Sequence, residues 1–201
     1  MLTSDREFNN IKVHTQYSIC EGAIKIDELA SYCKANKVRA IGLADSYNLC
    51  GALEFAEKIS KVGTQPLIGT QINLSVDNLI GKITLYATSE QGYKNLTKLS
   101  SLSYLKKKDS FEPYCEIDDL ILNNQDLIIL TGNYNNFFGK LFYKNKTKHF
   151  EKIIESLNSS FKDRLYIEIQ RHGELKEANY ENYLLKISSK YNLPLIASQE
   201  V

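Results

Sequence analysis

The sequence predicts an α/β fold, a distorted (β/α)7 TIM-like barrel with one βα unit fewer than the usual eight. Three observations carry the prediction. Short apolar runs rich in β-branched residues alternate with amphipathic helical patterns from one end to the other, the runs number seven, and turn-forming residues separate them. A doubly wound open sheet is the alternative way to assemble the same units. A chain of 201 residues with 43% hydrophobic content can bury roughly 70% of the surface its unfolded form exposes, so a single domain spanning residues 1–201 is expected.

Strands are expected at residues 11–14, 38–44, 66–74, 82–88, 127–131, 165–170 and 194–198. Between them, apolar residues recurring every three or four positions mark helices that lay one face on the sheet. The first stripe is Ile26, Leu29, Ala30 and Cys33, and the second is Leu53, Phe55, Ala56 and Ile59. Tyr93, Leu96, Leu99 and Leu102 with Ser103 form the third. Phe150, Ile153, Ile154 and Leu157 follow, then Tyr183, Leu184 and Ile187. Asp27 is placed to cap the first helix, Gly63 follows the second, and Asn192 with Pro194 closes the last. Residues 132–139 combine three Asn with the Phe137-Phe138 pair, a polar turn leading into a short apolar helix. No helix follows the seventh strand, so a C-terminally truncated barrel with an exposed edge is expected, from a truncation or a split gene.

Net charge is +1, from 25 basic and 24 acidic residues. That balance supplies no long-range field for gathering nucleic acid or an anionic membrane. The run Lys106-Lys107-Lys108, before Asp109, Ser110 and Pro113, reads as a solvated loop in preference to a phosphate contact. Cys20, Cys33, Cys50 and Cys115 show no C-x-x-C spacing, and the N-terminus lacks the order of a signal peptide. Reduced thiols and a cytoplasmic location are therefore expected, with Cys20 and Cys50 packed and unreactive. No apolar run approaches the roughly 20 residues that span a bilayer. Of thirteen tyrosines, several, such as Tyr93 and Tyr183, fall on helical stripes, which favours core packing over base stacking.

In a parallel barrel the working side chains project from the carboxyl ends of the strands. Read in order, those ends offer His14; Asp45 with Ser46; Gln71; Thr88; Thr131; Gln170 with His172; and Gln199 with Glu200. Zinc or manganese clusters take imidazole and carboxylate. Three histidines in all, and a rim of amides and hydroxyls, are a poor supply. His14 reads as a hydrogen-bonded structural histidine, His172, beside Arg171 and Gly173, as a structural or loop residue, and His149, in the basic segment 146–149, as a surface residue. Asp45 and Glu21 have no evident nucleophile to serve as an acid/base pair. Asp45 is expected to bond the amides of the turn at residues 47–51.

Six blocks carry a family resemblance: residues 14–23 (HTQYSICEGA), 40–55 (AIGLADSYNLCGALEF), 65–69 (QPLIG), 92–100 (GYKNLTKLS), 166–173 (YIEIQRHG) and 193–198 (LPLIAS). In order, and over nearly the whole chain, they resemble the PHP (polymerase and histidinol phosphatase) domain at the start of bacterial DNA polymerase III alpha subunits. The resemblance implies the PHP fold and a row of metal-ligand positions. The first position of the family's His-x-His is Lys12 here and the second is His14; an acidic ligand matches Glu21. The family's Thr-Asp-His becomes Ala44-Asp45-Ser46, a glutamate becomes Gln71, and a histidine at the start of the fourth strand becomes Lys82. His172 matches a further imidazole. The closing Asn-Asp-x-His aligns with Gln199-Glu200-Val201, one residue short of its histidine.

What the resemblance implies is thus a degenerate metal site. His14, Glu21, Asp45, His172 and Glu200 are remnants, Lys12, Ser46, Gln71 and Lys82 are substitutions, and no catalytic set is intact. An ammonium at a metal position repels a divalent cation by about 4 kcal/mol per unit charge pair at roughly 4 Å and an effective dielectric constant of about 20. Lys12 is therefore expected to replace the metal's charge, beside Glu21 or Glu200. The resemblance further implies a parent chain that is a magnesium-dependent DNA-directed DNA polymerase. The domain itself would be inactive and without a cofactor. It would support the polymerase body and dock the proofreading exonuclease subunit among other holoenzyme subunits. DNA would be reached through the parent chain, and no membrane is involved. The alternatives are an active metal-dependent phosphoesterase or 3′–5′ exonuclease holding one metal on the remnants, and an interaction module outside replication.

Overall fold

The computed structural model describes residues 8–105 and 112–201. In chain order its strands are β1 (Ala40–Leu43), β2 (Gln65–Val76), β3 (Leu79–Ala87), β4 (Cys115–Glu116), β5 (Leu127–Leu130), β6 (Leu165–Ile169) and β7 (Leu195–Ala197). They lie side by side as β1-β2-β3-β5-β6-β7, with β4 paired to the far end of β2. The first expected strand is reduced to two parallel bridges, Val13 with Leu43 and Lys12 with Glu200. Those bridges link β1 to the residues after β7: Val13 N donates to Gly42 O (3.0 Å) and Val201 N to Lys12 O (3.1 Å). The sheet therefore curls back on itself, as the barrel expectation requires. Gly42 lies where this segment crosses β1, and a Cβ there would sit 2.0 Å from Ile11 O.

The all-parallel expectation fails at one strand. β3 runs antiparallel to both β2 and β5, while β1 with β2, β5 with β6, and β6 with β7 are parallel. The cause is local: β2 and β3 are joined by Asp77 (φ 48°) and Asn78 (φ 63°). Two successive left-handed residues make the tight turn that suits a twisted hairpin, whereas a parallel crossover needs a dozen residues or more. The reversal carries Thr88 to the opposite end of the barrel, where its Oγ1 donates to Asp126 O (3.0 Å). Lys82, near the start of β3, reaches the rim in its place.

Among the described residues seven α-helices cover the sheet: α1 (Ile26–Asn36), α2 (Ala52–Lys61), α3 (Glu90–Leu105), α4 (Ile117–Leu122), α5 (Phe137–Tyr143), α6 (Thr147–Phe161) and α7 (Glu177–Tyr191). The expected stripes of α1 and α6 are buried throughout. In α2 the buried set is Ala52, Phe55 and Ile59, while Leu53 is exposed, so the true stripe starts one residue earlier. Asp27 does not cap α1. Lys25 holds the cap position without a side-chain bond, and Asp27, in the first turn, reaches Lys58 Nζ at 2.6 Å. Gly63 (φ 83°) and Asn192 (φ 50°) close α2 and α7 in left-handed conformations, as expected.

Against the outer face of β2 and β3, Ile72, Leu74, Ile83 and Leu85 pack in one cluster with Phe137, Phe138 and Phe150. The Phe138 and Phe150 rings meet edge to face at 5.0 Å. A second cluster joins Val13, Ile41 and Leu43 to α1 and α2, and a third inside the barrel holds Ala44, Tyr86 and Leu130. Two expectations of burial fail. Cys20 and Cys50 are exposed, Cys20 in the turn after the closing segment and Cys50 in the turn that leads into α2, while Cys33 and Cys115 are buried. Tyr93 is 39% exposed and outside the core clusters, whereas Tyr183 packs against the core. At the edge, Leu195 is exposed. The reading of Lys106, Lys107 and Lys108 lies outside the described residues. Among those described, no helix is long and apolar enough to cross a membrane.

Candidate functional site at the barrel rim

Lys12 projects from the closing segment into the barrel and is 0% exposed. Its Nζ donates to Glu168 Oε1 (3.2 Å) and Oε2 (3.3 Å) and lies 3.6 Å from Glu200 Oε2. Glu168 is equally buried, and it also accepts from Gln170 Nε2 (2.7 Å) and Ser198 Oγ. Its backbone N donates to Thr131 Oγ1 (3.0 Å), which accounts for that rim threonine. The expected neighbour Glu21 is elsewhere. Glu168, the principal partner, is not among the expected site residues. Its signal was available: a carboxylate in the middle of the apolar strand run Leu165–Ile169 has to find a cation or donors, since a buried charge without them is costly.

Glu200 collects the next group. Its Oε1 accepts from His14 Nε2 (2.9 Å) and Gln71 Nε2 (2.9 Å), and its Oε2 faces Lys12. Since the carboxylate only accepts, the His14 nitrogen facing it carries a proton. Burial alone would raise the Glu200 pKa. The His14 hydrogen bond, the Lys12 charge and the Gln71 amide outweigh it and hold the carboxyl at about 2. His14 Nδ1 lies 3.1 Å from Ser18 Oγ, whose hydroxyl donates to Asp45 Oδ1 (2.8 Å).

Asp45 is fully buried and also accepts from Thr15 N (2.6 Å) and Thr15 Oγ1 (2.7 Å). The expected bonds from Asp45 to the turn at 47–51 are not made. Asn48 serves that turn itself: its Oδ1 accepts from Cys50 N (3.0 Å) and its Nδ2 donates to Tyr17 O (2.9 Å). Glu21 pairs with the second lysine. Lys82 Nζ donates to Glu21 Oε1 (2.5 Å) and to Ser46 Oγ (3.0 Å), and Ser46 Oγ donates to Glu21 Oε2 (2.5 Å). Burial raises the Glu21 pKa, but the Lys82 and Ser46 bonds more than offset it and leave it lowered. Lys82 also stands 5.1 Å over the Tyr47 ring. Ser46 Oγ is 3.4 Å from Gln71 Oε1, so the Glu21 group touches the Glu200 group.

His172 stands apart from the other remnants. It is exposed, its Nε2 lies 3.1 Å from Gln170 Oε1, and its Nδ1 lies 3.1 Å from Gln199 Nε2. Through Gln170 it still joins the chain of contacts that runs Lys82, Glu21, Ser46, Gln71, Glu200, Lys12, Glu168, Gln170. His149 is half-buried beside Asp77 Oδ2 (3.4 Å), over the β2–β3 turn.

The donor set does not fit a divalent cation. Each acidic remnant already accepts from two or more protein donors, and two ammonium groups stand among the carboxylates. Among the described residues no group of three His, Cys, Asp or Glu side chains is arranged to hold a metal.

The model of the PHP domain family matches residues 10–172. DNA polymerase III subunit alpha of Vibrio cholerae is 31% identical over 201 residues, covering 98% of this chain and 17% of that protein. The subunit of Rickettsia bellii is 34% identical over 196 residues, covering 97% of this chain and 17% of that protein. The chain thus spans about one sixth of the length of these relatives. In fold it is similar to a putative metal-dependent phosphoesterase from Bifidobacterium adolescentis, with a TM-score of 0.63 at 11% identity, over 94% of this chain and 85% of that one.

Proposed function

The chain belongs to the PHP domain family, and on that premise we propose that it serves as the PHP domain of a DNA polymerase III alpha subunit in which a fixed ionic network replaces metal chemistry. The observation that carries the reading is Lys12, fully buried between Glu168 and Glu200. In this reading residues 1–201 are one domain of a longer chain. Polymerisation with magnesium takes place elsewhere in that parent, which also makes the contacts with DNA in the cytoplasm. The domain supports the polymerase body and docks the proofreading exonuclease subunit of the holoenzyme.

Two measurements test it. Protein prepared without a histidine tag is expected to carry far less than one equivalent of zinc or manganese, and to show no phosphatase or 3′–5′ exonuclease turnover with added manganese. Near-stoichiometric metal, or turnover that His14→Ala abolishes, sinks the silent-site reading and favours the active phosphoesterase. Titration calorimetry against the separate exonuclease subunit is expected to show binding at tens of micromolar or tighter. A null titration at those concentrations removes the docking role from this domain.

A further inference from the structure

Between β6 and α7 lies a narrow cavity with space of about 10 Å³ for a water centre, bordered by Asn133, Glu168, Gln170, Glu177, Tyr180 and Leu184 among others. That is room for a single water molecule. Among the described residues four buried side-chain polar atoms lack a hydrogen-bond partner: Thr84 Oγ1, Asn136 Nδ2, Tyr180 Oη and Tyr183 Oη. Of the four, Tyr180 alone borders this cavity. It is 3% exposed. Burial first, and then the charge of Glu168, keep its phenol well above the ordinary tyrosine range, so the hydroxyl retains its proton and has a hydrogen bond to give.

We propose that this cavity is a structural water site, in which one water accepts from Tyr180 Oη and gives its protons to the carboxylate and amide oxygens around it. The lining favours water over a cation. Glu168 is already engaged by Lys12, Gln170 and Ser198, and Glu177 by the backbone N–H groups of His172, Gly173 and Glu174. Water both accepts and donates, which is what an unpartnered phenol in a cavity bordered by already satisfied carboxylates calls for. Through it Tyr180 on α7 joins the rim network at Glu168 without direct contact. The inference stands independently of the polymerase reading.

The test compares Tyr180→Phe with Tyr183→Phe, whose orphan hydroxyl does not border the cavity. If the water is present, Tyr180→Phe lowers the folding equilibrium constant about tenfold in urea unfolding, because it strips the water of a partner. Tyr183→Phe leaves stability unchanged or raised, since only an unpaired group is removed. Water-to-protein cross-relaxation by NMR should detect a long-lived water beside Tyr180 in the wild type and lose it in Tyr180→Phe. A Tyr180→Phe protein as stable as the wild type or more so, or no long-lived water in the wild type, overturns the proposal.

Discussion

Lys12→Met is expected to destabilise the fold by about 3–5 kcal/mol in urea or thermal unfolding. The ammonium and the Glu168 carboxylate are both fully buried and 3.2 Å apart. At that separation their attraction is about 5 kcal/mol with an effective dielectric constant of about 20. Taking each ion out of water costs several kcal/mol, so the pair as a whole contributes little beyond what an apolar pair would. Removing one member is a different matter. Methionine fills the stem of Lys12 but leaves Glu168 charged in a closed site, with the Gln170 amide and the Ser198 hydroxyl as its remaining donors. Adding Glu168→Gln to Lys12→Met should therefore recover about 2 kcal/mol, the signature of two groups acting as one. The Lys82–Glu21 pair, with side chains 20% and 38% exposed, is screened by solvent and worth about 1 kcal/mol at most. A loss below about 1 kcal/mol for Lys12→Met would mean that Lys12 is not the counter-ion of the buried carboxylates.

Placement of the helices was legible because burial on one face leaves a period of three to four residues, as in Phe150, Ile153, Ile154 and Leu157. Strand direction was not, because the two-residue alternation reads the same from either end. The clue to the β2–β3 hairpin lay elsewhere: no helical pattern intervenes between Leu74 and Lys82, and Asp77-Asn78 suits a tight turn. Read as a parallel crossover, the same residues put Thr88 on the rim. The substituted positions Lys12, Ser46, Gln71 and Lys82 came from the family resemblance, and all four fall in one connected network. Their pairing was legible only in part, since Lys12 does lie 3.6 Å from the expected Glu200. Lys12 was expected beside Glu21 or Glu200 and meets Glu168 more closely than Glu200, while Glu21 belongs to Lys82. Which carboxylate a lysine meets depends on how the barrel closes, and sequence spacing carries no such information across 156 residues.

Acid sensitivity follows from the same network and centres on Glu200. Burial raises its pKa, but His14, Lys12 and Gln71 together bring it to about 2, well below the value of 4.5 for a free side chain. A carboxyl whose pKa is depressed on folding adds stability that is full above its unfolded pKa and is lost as pH falls through the folded one. The contribution should therefore be intact at neutral pH and drain away between about pH 4.5 and about pH 2. Its size is about 2–3 kcal/mol, allowing for solvent at the 25% of the side chain that stays exposed. Against the cost of burial, which is the first influence at Glu21 and Glu177, five other carboxyls are lowered as well: Glu21 by Lys82, Glu177 by the His172 amide, Glu54 by Lys58, Glu151 by Lys190 and Glu181 by Arg171. Acid destabilisation of the wild type alone is thus a sum over several groups. The difference between the wild type and Glu200→Gln isolates one of them, because the others titrate in both proteins. That difference in unfolding free energy should be about 2–3 kcal/mol near neutral pH and shrink steadily below about pH 4.5. A difference that stays constant down to about pH 2.5 would show that Glu200 does not titrate with folding, and that its charge is not what His14, Gln71 and Lys12 hold in place.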